Sequence, residues 1–140
     1  KMFTGDDFNY GELIAGDDKN HSHGLLGIFD PIAPVAAAAL TALAEGKVND
    51  YHQIISPTVA LGREVFRDPT RHYKAGVVFI AWLNGHQDHF TMAAGLESAR
   101  DVTHYATVFR LADACGALTQ PELAIERMRK FLDVHAGVST

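Results

Sequence analysis

The sequence has a single cysteine, Cys115, and no excess of positive charge. One cysteine excludes an internal disulfide and suits a reducing compartment. Twelve Lys and Arg stand against seventeen Asp and Glu, a formal charge of −5. Surfaces for nucleic acid or anionic membrane need a basic stripe, so neither is an expected partner. Long apolar runs are missing too. The longest, Ala75–Leu83, falls far short of a bilayer span. No basic-then-apolar leader precedes a small-residue cleavage site, and the expected compartment is the cytoplasm. Glycine-rich phosphate loops and nucleophile-elbow serines are absent as motifs.

What remains is ordinary globular composition. The 140 residues are 47% apolar and 21% charged, which argues against disorder and gives enough chain for one well-cored domain. The opening Lys1-Met2-Phe3-Thr4-Gly5-Asp6-Asp7 reads as a strand tail entering a turn, as if the chain began partway through a domain. Residues 8–15 have a short helical pattern ended by Gly16. Gly24-Leu25-Leu26-Gly27-Ile28-Phe29 is a continuous apolar run of strand length, the pattern of a strand buried on both faces.

After Pro34 the pattern is helical. Val35–Glu45 is alanine-rich and closes at Gly46. From Val48 to Phe66 the apolar positions follow a helical period, with a kink or restart expected at Pro57. Tyr73–Leu83 is apolar nearly all round, which predicts a central helix rather than a strand. A mixed loop follows over Gly85–Glu97, then a helix over Arg100–Ala114. A last helix begins near Pro121, with Thr119 as its expected cap. Two parallel strands alone make no stable sheet, so either the chain pairs with more sheet elsewhere, which is the favoured reading, or the strand assignments are wrong.

The stretches Phe3-Thr4-Gly5-Asp6-Asp7-Phe8, Gly24–Phe29 with Pro34 beyond, Tyr73-Lys74-Ala75-Gly76, and Trp82–Phe90 onward together carry a resemblance. The chain resembles the C-terminal part of the dihydrodipicolinate synthase and N-acetylneuraminate lyase superfamily, and within it a dihydrodipicolinate synthase-like branch of unknown function. That resemblance implies an α/β fold, the last two strands of a (β/α)8 TIM barrel. Residues 1–46 would be the last two β/α units and 47–140 a mostly α-helical C-terminal extension.

It also implies a Schiff-base aldolase or lyase acting on a keto-acid substrate. The assembly would be a homo-oligomer, with no cofactor required. The imine lysine and assisting tyrosine of that family fall upstream of Lys1, and neither Lys1 nor Lys74 matches their positions. These 140 residues alone are therefore expected to be inactive. By the same resemblance Gly5 lets substrate approach the backbone, Asp7 helps hold substrate hydroxyls, and Gly27 and Ile28 line the pocket floor. Substrate identity does not transfer.

Gly5-Asp6-Asp7 also has a meaning of its own. Barrel sites sit at strand C-terminal ends, where Asp6 and Asp7 can bind hydroxyls or tune a lysine. Equally, one of the two can cap the helix that follows. His21-Ser22-His23 and His86-Gln87-Asp88-His89 have spacings compatible with zinc or manganese, but no Glu or Cys stands at a diagnostic distance. The alternative function is accordingly a stand-alone helical binding module with a histidine-rich metal or ligand site; structural or surface histidines are the plainer reading. Lys74 is expected to pack its stem and send its ammonium to solvent. Cys115 reads as a small core residue, and Phe79, Trp82 and Phe90 as core packing or a subunit contact.

Overall fold

The computed structural model describes residues 1–139. The N-terminal corner is built from β1 (Phe3–Thr4), α1 (Tyr10–Ala15) and β2 (His23–Gly24). The strands pair in parallel, Phe3 opposite His23 and Thr4 opposite Gly24. His23 N–H donates to Met2 O and Leu25 N–H to Thr4 O, both at 2.9 Å. Then come α2 (Ala33–Ala44), α3 (Val48–Val65), α4 (Tyr73–Leu83), α5 (Val102–Ala114) and α6 (Pro121–Ala136), with short 3-10 turns at Gly27–Phe29, Thr70–His72 and Ala93–Ala99.

The expectation of an α/β chain carrying the seventh and eighth strands of a TIM barrel is overturned. The chain is mostly helical, and its described residues include just two strands of two residues each. The run Gly24–Phe29 fails as a strand after its first residue. Ile28 N–H donates to the Asp7 carboxylate at 3.0 Å instead of to a neighbouring strand. Gly27 turns against the Phe66 ring, where an added Cβ would come within 2.9 Å of Cζ. The run is apolar because Leu26 and Ile28 are buried, but helices supply the cover. Burial on all sides does not distinguish a sheet from a helical enclosure.

Helix α3 is the hub and packs against α1, α2, α4 and α5. The helix does not restart at Pro57; α3 runs as one helix through it. Gln53, Ser56 and Pro57 all lie on the exposed side, where water can serve the Gln53 carbonyl left without a donor. On the opposite side Thr58 is wholly buried. Its hydroxyl donates to Ile55 O at 2.6 Å, so the 2.6 Å contact with Tyr10 must be donated by the Tyr10 hydroxyl. Tyr51 donates to Gly11 O at 2.8 Å. Burial pushes both phenols up to about 12, so they remain donors at all ordinary pH.

Helix α4 lies centrally, as its all-round apolar pattern predicts. Phe79 is fully buried. It packs its ring 4.7 Å from Tyr105, 5.1 Å from Phe90 and 5.3 Å from Phe131, tying α4 to α5, α6 and the 84–100 segment. The last helix starts at Pro121 without a side-chain cap. Thr119, expected as that cap, instead donates its N–H to Asn84 Oδ1 at 2.8 Å. One hydrophobic core runs across residues 1–46 and 47–136 without a break.

Two polar groups fasten α5 to the end of α3. Arg100, 7% exposed, donates to the carbonyls of Arg67, Asp68 and Pro69 at 2.6, 3.0 and 3.1 Å. His104 is fully enclosed, with Nδ1 2.7 Å from Glu64 Oε1 and Nε2 left without a partner. Desolvation lowers its pKa, with Arg67 and Arg100 adding to the effect while Glu64 opposes it. The ring is therefore neutral and donates from Nδ1.

Arg100→Met strands three carbonyls and is expected to cost about 2–4 kcal/mol, read as a lower urea midpoint; an unchanged midpoint would mean those bonds carry no stability. The depressed folded pKa of His104 gives stability that is present above its ordinary value of 6.5 and lost as pH falls through the folded value. His104→Gln is expected to flatten the fall in stability between pH 6.5 and that folded value. Parallel pH profiles for the two proteins would contradict the assignment.

Candidate functional site

Ligands of parallel sheets bind outside the carboxyl ends of the strands, and there the structure brings two loops together. The first, Gly5–Asn9, follows β1; the second, Leu25–Phe29, follows β2. Gly5 sits beside Leu25 O, 3.7 Å from where its Cβ would be, so the two chains run close. Asp7 bridges them by accepting the Ile28 N–H. Ile28 itself has no exposed surface, and its side chain belongs to the core. Gly27 lies under the stacked rings of Phe66 and Tyr73, whose centroids are 4.6 Å apart.

The two adjacent carboxylates have different tasks. Asp6 Oδ1 accepts the N–H groups of Phe8 and Asn9 at 2.8 and 3.0 Å, and Oδ2 accepts the Asn9 amide at 3.1 Å. Asp6 N–H in turn donates to Thr4 Oγ1 at 3.1 Å. Asp6 thus closes the turn ahead of α1, and the Phe8 N–H holds its carboxyl below the usual range, with Asn9 assisting. Asp7 is half-buried. Desolvation raises its pKa, the Ile28 amide pulls the other way, and the neighbouring Asp6 charge raises it further. A carboxyl so placed readily accepts a substrate hydroxyl or handles a proton.

The histidines expected as metal candidates are placed elsewhere. His21 and His23 have ring centroids 5.4 Å apart and line a groove of about 510 Å³ with Ile14, Leu40 and Leu43, beside the start of β2 rather than its carboxyl end. His86 borders a 330 Å³ cavity near Asp30 and Asn84. His89 turns its Nδ1 to the Thr91 N–H at 3.1 Å. Among the described residues no group of three or more His, Cys, Asp or Glu side chains is gathered as a metal ion requires. Lys74 keeps its ammonium at the surface, 3.7 Å from Asp30. Cys115 is buried, and desolvation raises its thiol pKa. Among the described residues no helix is long and apolar enough to cross a membrane.

Comparison with known proteins adds a family and no activity. A family described as a protein of unknown function (DUF993) matches residues 1–138. The chain belongs to the DUF993 family. No curated protein matches it. The family description assigns no substrate, so the chemistry rests on this chain's own residues.

Sequence patterns did not single out the Arg100 and His104 fastenings. Both lie on what read as an ordinary amphipathic helix, and their partners are more than thirty residues away. Nor did they single out Glu12, His52 and Arg63, although positions 52, 56, 59 and 63 form one stripe at helical spacing.

The division of labour between the carboxylates is testable by melting temperature. Asp6→Ala removes the acceptor that closes the turn ahead of α1 and is expected to cost about 1 kcal/mol. Asp7→Asn keeps an oxygen for the Ile28 N–H and removes a partly desolvated charge. The raised folded pKa of Asp7 means its favourable contribution is present below 3.8 and lost as pH rises through the folded value. At neutral pH Asp7→Asn is therefore expected to be as stable as the parent or more so; a lower melting temperature would show the carboxylate to be a structural necessity.

Proposed function

We propose that the two loops at the carboxyl ends of β1 and β2 form one wall of a Schiff-base aldolase or lyase site for a keto acid, in the cytoplasm. The imine lysine and its assisting tyrosine come from outside these residues, and the 140 residues by themselves are inactive. The carrying observation is Asp7: a half-buried carboxylate with a raised pKa, held by a backbone amide where two strand-end loops meet. The resemblance of the Phe3–Phe8 and Gly24–Phe29 stretches to Schiff-base aldolases supplies the reaction class.

In that reaction a lysine amine adds to the keto carbon and water leaves. The resulting iminium takes up the electron pair of the carbon–carbon bond that breaks. Asp7 accepts a hydrogen bond from a substrate hydroxyl and so holds the breaking bond parallel to the iminium π orbitals. The proton of the carbinol that becomes a carbonyl passes to the assisting tyrosine. Gly5 leaves room for substrate beside the backbone, and the Gly27–Ile28 turn holds Asp7 in place. Met2, Phe3 and Leu25 are more than half exposed at the open edges of the strand pair. Such apolar edges fit a site completed by further chain and a homo-oligomeric assembly.

Borohydride treatment of the full-length protein with pyruvate is expected to leave a covalent adduct with the mass of the reduced pyruvyl group. Asp7→Asn is expected to keep the adduct but raise KM for the turned-over substrate by about tenfold, the worth of one charge-assisted hydrogen bond. Failure to trap pyruvate, glyoxylate or α-ketoglutarate would contradict the reading.

A further inference from the structure

A second cleft, of about 190 Å³, lies between α1 and α3; it shares Phe8 and Asn9 with the loop after β1 but none of Gly5, Asp7, Gly27 or Ile28. Its floor is Gly11, Ile55 and Val59, and its rim carries Arg63, Glu12 and Asn9. Arg63 and Glu12 are both exposed. Among the described residues, neither makes an ion pair within 4.0 Å, although both border the same small cleft. Unpaired opposite charges on one cleft are a ready complement for a molecule that carries both signs.

The polarity of the cleft follows from how the helices cross. Gly62 lies against the Asp7 carbonyl, 2.9 Å from where its Cβ would be, so the start of the α1 segment meets the end of α3. Tyr51 donates to Gly11 O, and a Cβ on Gly11 would be 3.5 Å from Ile55, so the middle of α1 meets the first half of α3. The two segments are therefore antiparallel. Arg63 falls at the Phe8–Asn9 end and Glu12 at the His52–Ser56 end, with the apolar floor between them. The two charges stand toward opposite ends of the cleft, with Val59 between them.

We infer that this cleft binds a small zwitterion whose carboxylate and ammonium are separated by a short aliphatic spacer, an ω-amino acid. The carboxylate meets the Arg63 guanidinium, which offers paired N–H donors to two oxygens. The ammonium meets the Glu12 carboxylate. The Ser56 hydroxyl and His52 imidazole line the ammonium end as further polar contacts. The methylene spacer lies over the half-buried Val59 and takes its exposed part out of water.

Isothermal titration of the protein with ε-aminocaproate and γ-aminobutyrate, beside hexanoate and hexylamine as single-charge analogues, tests this. Saturable binding of at least one zwitterion is expected, at least tenfold tighter than either analogue. Arg63→Gln is expected to abolish the advantage over hexylamine, and Glu12→Gln the advantage over hexanoate; both positions are exposed, and circular dichroism checks that the variants remain folded. Amide shifts in the bound protein should cluster at Gly11, Ser56 and Val59. Absence of saturable binding by either zwitterion, equal binding of the analogues, or unchanged affinity in both variants would overturn the assignment. Borohydride trapping is unaffected by either variant, so failure here is distinguishable from failure at the strand-end site.

Discussion

A two-stranded parallel sheet with two residues in each strand has almost no stability of its own. Here it persists because α3 bolts the helix between the strands from behind. The Tyr10 hydroxyl reaches Thr58, the Tyr51 hydroxyl reaches the Gly11 carbonyl, and Gly62 lets the Asp7 carbonyl lie directly against the helix. Both hydrogen bonds are buried, so breaking either strands a polar group without water. Tyr10, Tyr51 and Thr58 are each fully enclosed. The position of Asp7 and the antiparallel crossing that creates the α1–α3 cleft both descend from these contacts.

The rest of the body serves the same helix. α2, α4 and α5 all pack on α3, and α6 packs on α4 and α5. Arg100 and His104 then secure the start of α5 to the end of α3. The arrangement leaves the outer edges of β1 and β2 and the apolar side chains Met2, Phe3 and Leu25 facing outward. A rigid helical body thus presents a small strand-and-loop corner whose geometry is set in advance. Preorganised placement of a few polar groups is what a substrate-binding wall needs.

The helices were legible in the sequence because periodicity reports burial of one face. Val48–Phe66 and Tyr73–Leu83 both form close to where their patterns put them. Of the two outcomes expected at Pro57 the restart does not occur, because on an exposed face water can serve the carbonyl that loses its donor. Gly24–Phe29 misled for a different reason. An apolar run states that the chain is enclosed, not by what, and here the Asp7 carboxylate and the Phe66 ring turn it out of the strand after Gly24. The TIM-barrel expectation came from a family resemblance of which that run was one stretch, and the mostly helical chain with two short strands overturns it.

The candidate sites were legible only in part. Asp6 and Asp7 stood out as a pair, but their opposite roles depend on where each carboxylate finds backbone N–H groups, and that is a tertiary fact. Glu12 and Arg63 are fifty-one positions apart and become neighbours only once α1 lies across α3. Native-state amide hydrogen exchange tests the central dependence on α3 most directly. The His23 and Leu25 amides are expected to be protected in the parent protein and to lose protection in Tyr51→Phe, while the amides of α4 and α6 keep theirs. If His23 and Leu25 exchange equally slowly in both proteins, the strand corner stands without α3 and the account is wrong.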